Sequence, residues 1–293
     1  MNIVIQNENL RLVIDSFGAQ MMELSSSRGV QYLWNGEKKY WEDRAPVLFP
    51  FVGRLTNRSY TFHGKVYQMD IHGFASRCEF VIEEQSPNSV MLKLSDSEQT
   101  RTMYPFSFVF RVMFRLRGWS LETSYIVENC DEKEMYFGLG GHPGFNVPFY
   151  ANTRFEEYFL RFDQVCYPDR VGFTYDCLLN GIDERFPLID DQILPLKHEL
   201  FNNDAIVLKN MSKSVTLCSK KAGRSITVHY PQMQFLGLWH WPKTAAPYIC
   251  IEPWTSLPAR KDVIEEFSCK SDMIHLLPGE TYKNTWYVTI SEE

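Results

Sequence analysis

The chain has 293 residues, 44% of them hydrophobic and 23% charged, with a net charge of −6. That balance suits a soluble globular protein with ample material for a core, and it sets nucleic-acid binding aside, because a phosphate backbone is met by a basic surface. Met1–Leu10 has no basic stretch leading into an apolar one, and apolar runs such as Val47–Val52 are too short to span a bilayer.

A cytoplasmic protein without membrane association is therefore expected. The seven cysteines, at 78, 130, 166, 177, 218, 250 and 269, are odd in number and scattered. They form neither a disulfide framework nor a zinc-finger pattern and read as free thiols in a reducing compartment.

In chain order, short alternating segments predict strands at Leu10–Ile14, Val90–Leu94 and Ser107–Arg117. In the last of these, Phe108, Phe110, Val112, Phe114 and Leu116 share one face. Gly118-Trp119 breaks the run, and Leu121, Thr123, Tyr125 and Val127 return as the second arm of a hairpin. Further strands are expected at Ser214–Cys218, Ser225–Tyr230, Gln234–Trp239 and Thr281–Ile290. Turn signals at Ser86-Pro87-Asn88, Asn202-Asn203-Asp204, Lys221-Ala222-Gly223 and Pro278-Gly279 separate them. Residues 167–200 are poor in strand pattern and read as a long excursion, and Asp262–Phe267 as a short helix or turn. Many short strands with little helical periodicity predict an all-β fold, a large β-sandwich with few short helices, as a single domain over residues 1–293. Aromatics at 15% suit both strand packing and sugar binding.

Three segments carry candidate chemistry. The first runs from Val52-Gly53-Arg54 to His72-Gly73-Phe74, with His63 at an exposed hairpin tip between. The second is Gly138-Leu139-Gly140-Gly141-His142-Pro143-Gly144-Phe145. The third joins Trp239-His240-Trp241 to Ile251-Glu252-Pro253-Trp254. Glycines around His142 suggest a tight turn, where glycine tolerates angles other residues avoid; the ring either caps the turn or projects as a functional group. The stretch lacks the Lys-Ser/Thr of a phosphate loop. Glu252 ends an apolar run, so burial would raise its pKa toward that of a general base, or it pairs with an arginine. Arg54 and His72 are hydrogen-bond donors to hydroxyls or serve as loop anchors. His240 is intermediate. Trp239, Trp241, Trp254 and Phe145 offer flat faces to a sugar or fill the core. His198, His229 and His275 have no motif around them. No serine-hydrolase elbow, HExxH helix or dinucleotide fingerprint is present.

Together these segments resemble the aldose 1-epimerase (galactose mutarotase) family, and its LacX-like branch in particular. Phe17-Gly18-Ala19 near the start and Leu277-Pro278-Gly279-Glu280 near the end extend the likeness over nearly the whole chain. The resemblance implies a β-supersandwich without metal or organic cofactor. It implies a small-molecule sugar as partner, and a monomer or homodimer is expected. It casts His142 as the acid at the ring oxygen, Glu252 as the base at the C1 hydroxyl, and His72 and Arg54 as substrate contacts; Trp239 and His240 join them as candidate binding residues. The family's sugar-holding aspartate is missing at Tyr230-Pro231-Gln232, and the first segment has a single His72-Gly73. Galactose is thus not implied. A hexose-6-phosphate 1-epimerase, which would use Arg54 and Arg77, and a non-catalytic carbohydrate-binding protein remain as alternatives.

Overall fold

A computed structural model describes residues 1–292, apart from the side chain of Ala222. Two large antiparallel sheets dominate. The nine-stranded sheet runs in the order Ile193–Pro195, Tyr158–Phe162, Ser214–Ser219, Ala222–His229, Thr281–Ser291, Ser120–Asn129, Phe108–Arg117, Ser89–Ser95 and Val81–Ser86. The eight-stranded sheet is ordered Glu184–Arg185, Asp169–Arg170, Ile206–Lys209, Phe235–Trp239, Tyr248–Trp254, Gly140–Gly141 and Val47–Leu48, with Gly144–Asn146 also paired to Tyr248–Trp254. Three smaller sheets complete the fold, one of them built from Asn2–Gln6, Leu10–Asp15 and Gln20–Ser26. Among the described residues the only α-helix, Glu98–Met103, has six residues. No helix is long and apolar enough to cross a membrane.

The core lies between the two large sheets, where alternation sends every second side chain inward. Phe108, Phe110, Val112, Phe114 and Leu116 are buried as their spacing predicts, and their strand pairs with Ser120–Asn129 across the expected hairpin. The Phe110 ring stacks on Phe49, beside the Val47–Leu48 strand of the other sheet, at 4.5 Å between centroids. Ile249 and Ile251 of the opposite sheet join the same cluster.

The long excursion is stitched into both sheets. Ile193–Pro195 extends one edge of the larger sheet, while Asp169–Arg170 and Glu184–Arg185 extend the edge of the other. Asp262 sits in a turn at φ 60°, and Glu265–Glu266 then pairs in parallel with Ser59–Phe62. No α-helix forms there; Glu265 meets Arg260 in a two-point contact at 2.9 and 3.0 Å, and a 3-10 turn follows at Phe267–Cys269.

Phe110 is fully buried between the sheets, so Phe110→Ala deletes a ring in a place that cannot collapse. A loss of about 3–5 kcal/mol is expected, read as a lowered denaturant midpoint; a loss below ~1 kcal/mol would show that the sheets do not pack through this contact.

Candidate functional site

The strand Tyr248–Trp254 is buried along its whole length. Its odd positions, Ile249 and Ile251, enter the main core, while Tyr248, Cys250 and Trp254 belong to clusters on the other face. Period two therefore places Glu252 on the outer face. The neighbouring strand repeats the division: Leu236 and Leu238 face the core, while Phe235 and Trp239 face outward. Gly237 stands directly opposite Glu252, where an added Cβ would come within 3.2 Å of the Glu252 Cβ. This outer face floors a cavity of about 810 Å³, whose lining includes Trp41, Arg54, His72, His142, Asp204, Trp239 and Glu252.

The His142 backbone N–H donates to the Pro46 carbonyl at 3.2 Å. The glycines before and after it are not in left-handed conformations, contrary to the turn expected from the sequence. They are needed for close approach. A Cβ on Gly141 would lie 2.9 Å from the Trp286 ring, and one on Gly140 2.7 Å from Trp254. The loop is thus pressed onto the sheet, and the ring of His142 stands in a wall of aromatics. Its centroid is 4.9 Å from Trp41 and 5.6 Å from Trp239.

His142 Nε2 lies 3.3 Å from Glu252 Oε2. The approach is an ion-pair distance without hydrogen-bond alignment, and Glu252 Oε2 and His142 Nδ1 are buried without partners. Burial pushes the imidazole down to about 3. Burial first, and then the charge of Asp204, push the Glu252 carboxyl well above its usual range. Both groups are thus driven toward their uncharged forms, a protonated carboxyl beside a neutral imidazole. Cys250 completes a cluster with them within 4.8 Å, but burial holds its thiol protonated. These three are the side chains here that could approach a metal ion.

His72 is fixed by backbone strain. It sits at φ 64° and Gly73 at φ 78°; a Cβ on Gly73 would come within 2.2 Å of the Phe49 carbonyl oxygen. His72 Nδ1 accepts the Gly53 N–H at 3.0 Å. That bond makes Nε2 the protonated nitrogen of the neutral ring. Burial, with His142 and Arg54 nearby, keeps the ring neutral by lowering its pKa. His72 is therefore a fixed donor beside His142, their rings 5.6 Å apart.

Arg54 and Trp239 also line the cavity, as the sequence suggests. His240 does not. It is fully buried, its Nε2 3.1 Å from His198 Nδ1 and its Nδ1 2.9 Å from the Trp241 carbonyl, in contact with Phe155 and Phe201. Alternation explains the difference: Trp239 faces outward, so the next residue turns in. Tyr230 is likewise buried, its hydroxyl donating to the Ser212 carbonyl. Asp204, in a turn at φ 72°, lines the cavity, and its Oδ2 accepts from the Cys177 thiol at 3.3 Å. Its turn was visible in the sequence; its place in the cavity was not, because no motif surrounds it. Asp43 and Gln20 also reach the lining, without any signal in their segments.

The chain matches the aldose 1-epimerase family over residues 1–288. It belongs to that family. It is 32% identical to the protein LacX, chromosomal, of Lactococcus lactis subsp. lactis, over 99% of both chains. Among solved structures it is similar to a galactose mutarotase related enzyme from Lactobacillus acidophilus, at 33% identity and TM-score 0.95 over 100% and 98% of the two chains. It also resembles a galactose mutarotase-like protein from Lactobacillus casei, at 29% identity and TM-score 0.94 over 99% and 100%.

The buried carboxyl has a consequence for stability. Its raised folded pKa means that the folded state binds more protons than the unfolded state above about 4.5. Stability from this group is thus present at low pH and is lost as pH rises toward the folded value. Glu252→Gln removes the loss. The variant's melting temperature should exceed the wild type's by a margin that grows from pH 5 to pH 9. A margin independent of pH in calorimetry would show that Glu252 is not held protonated.

Proposed function

We propose that the chain is a mutarotase, interconverting the α and β anomers of a free aldose by acid/base opening and closing of the ring. The observation that carries this reading is the buried pair of His142 and Glu252, 3.3 Å apart on the floor of an aromatic-walled cavity. Ring opening needs one proton removed from O1 and one delivered to O5. Both oxygens sit on the same carbon, so an acid and a base side by side suit them. Glu252 takes the O1 proton as His142 gives one to O5; the C1–O5 bond breaks and the C1 carbonyl forms. Rotation about C1–C2 presents the other face. The reverse transfers then close the opposite anomer, and the pair regains its starting charge. Shifting the shared proton from carboxyl to imidazole readies the pair without exchange with solvent. His72 Nε2–H donates to a sugar oxygen, Asp204 accepts from a hydroxyl, and Trp239 and Trp41 cover the C–H faces.

A second reading, with the same chemistry, has a hexose 6-phosphate as substrate. Arg54 and Arg77 are exposed in the cavity lining, and no carboxylate among the described residues pairs with either. An anionic group at the mouth would engage them.

Anomer exchange tests the reading directly. Pure α-D-glucose, α-D-galactose and glucose 6-phosphate would be followed by the anomeric proton signals with wild type, His142→Ala and Glu252→Gln. Each substitution is expected to lower kcat by about 10²–10⁴-fold. No acceleration by wild type with any aldose would leave a sugar-binding protein without catalysis.

The pH profile tests the pair separately. Because burial lowers the histidine to about 3 and raises the carboxyl, wild-type kcat should cross neutrality without a histidine-like inflection near 6.5. A clear limb at that pH that Glu252→Gln leaves in place would mean that His142 titrates as an isolated exposed group.

A further inference from the structure

The cavity that holds His142 and Glu252 does not end at Asp204. A second cavity of about 1040 Å³ adjoins it, and both are lined by Arg54, Phe173, Asn203 and Asp204. One wall of the second cavity is the loop 173–180, which backbone hydrogen bonds pin in place. Thr174 N–H donates to Leu178 at 2.8 Å, Asn180 to Gly172 at 3.0 Å, and Leu179 to Ala259 across the loop base at 2.9 Å. Tyr175, near the tip, lines this cavity and is 98% exposed. A fixed backbone thus presents nearly a whole aromatic ring. Around it, the side-chain amides of Asn57, Asn202 and Asn203 are exposed and make no hydrogen bond among the described residues.

An exposed ring with free amides beside it is the chemistry of pyranose recognition. The ring covers a C–H face, and each amide offers both donor and acceptor to hydroxyls. The charges nearly cancel. Arg54, Arg170 and Lys243 stand against Asp176, Glu184 and Asp204, while Arg58 is taken by Asp70. That favours a neutral ligand over an anion. The reaction itself touches only C1, O1 and O5, so a substituent elsewhere on the ring costs nothing chemically. The first cavity already lies in the ~300–1,000 Å³ range of sites for drug-sized ligands, more than one sugar ring requires.

We propose that the second cavity is a subsite for the adjoining sugar unit, and that the substrates are oligosaccharides with a free reducing end, entering reducing end first. The inference rests on the mutarotase reading of His142 and Glu252. The reducing unit occupies the inner cavity, and the chain passes Asp204 and Asn203 to lie against Tyr175.

The test compares anomer exchange of cellobiose, maltose, glucose and glucose 6-phosphate by wild type and Tyr175→Ala. Tyr175 is exposed, so its truncation leaves the fold intact. Wild type should show a higher kcat/KM for at least one disaccharide than for glucose. Tyr175→Ala should lower the disaccharide-to-glucose ratio about three- to ten-fold, through KM. A ratio unmoved by the substitution, or glucose 6-phosphate outranking both disaccharides, overturns the subsite while exchange of glucose keeps the mutarotase reading intact. Absence of exchange with every sugar overturns both together.

Discussion

A carboxyl and an imidazole buried 3.3 Å apart, each driven by burial toward its uncharged form, are the constraint around which the rest of the site is arranged. Neither group gains from being there. Burial works against both charges, and two of their polar atoms lack partners. Such a pair persists only where the surrounding structure leaves it no alternative. Tyr248–Trp254 is hydrogen-bonded on both sides, to Phe235–Trp239 and to Gly140–Gly141 and Gly144–Asn146, so Glu252 cannot move without the sheet. His142 is clamped between Pro46 and a wall of tryptophans. A rigid sandwich thus maintains a local arrangement that would be unfavourable on its own.

Glycine is the means by which the clamp closes. At Gly140, Gly141 and Gly237 the missing Cβ lets Trp254, Trp286 and Glu252 approach backbone. At Gly73 the conformation itself is the requirement, since a left-handed residue there turns His72 so that Gly53 can fix its tautomer. Two different properties of the same residue therefore position two histidines. Aromatic side chains pack around the pair and leave it little polar surrounding, which strengthens the electrostatic interactions there.

Much of this was legible in the sequence, and the parts that were not share a cause. The hairpin Phe108–Asn129 announced itself because one face is core and the other solvent. Tyr248–Trp254 showed only an apolar run, because both its faces are covered and alternation disappears. The strands of the excursion were invisible because they are two or three residues long. His142, Glu252, His72, Arg54 and Trp239 stood in motifs and do meet in one cavity. His240 stood in an equally suggestive context but falls on the inward side of the same strand end. Asp204 and Trp41 lie in loops without a motif, and only tertiary folding brings them to His142.

Asp204 matters most among these, because it acts on the site in two ways. It brings a carboxylate into the cavity lining, and its charge raises the pKa of Glu252. That charge helps keep a proton on the Glu252 carboxyl. A sugar hydroxyl donating to Asp204 would spread the charge and relieve Glu252, while a ring oxygen beside His142 would favour a protonated imidazole. Both effects move the proton from Glu252 toward His142, the arrangement in which the carboxylate can accept from O1 and the imidazolium can donate to O5. On the proposed reading, substrate binding therefore brings the acid and the base into their working protonation states, and a ligand without the hydroxyl that reaches Asp204 would bind yet leave the pair in its resting form.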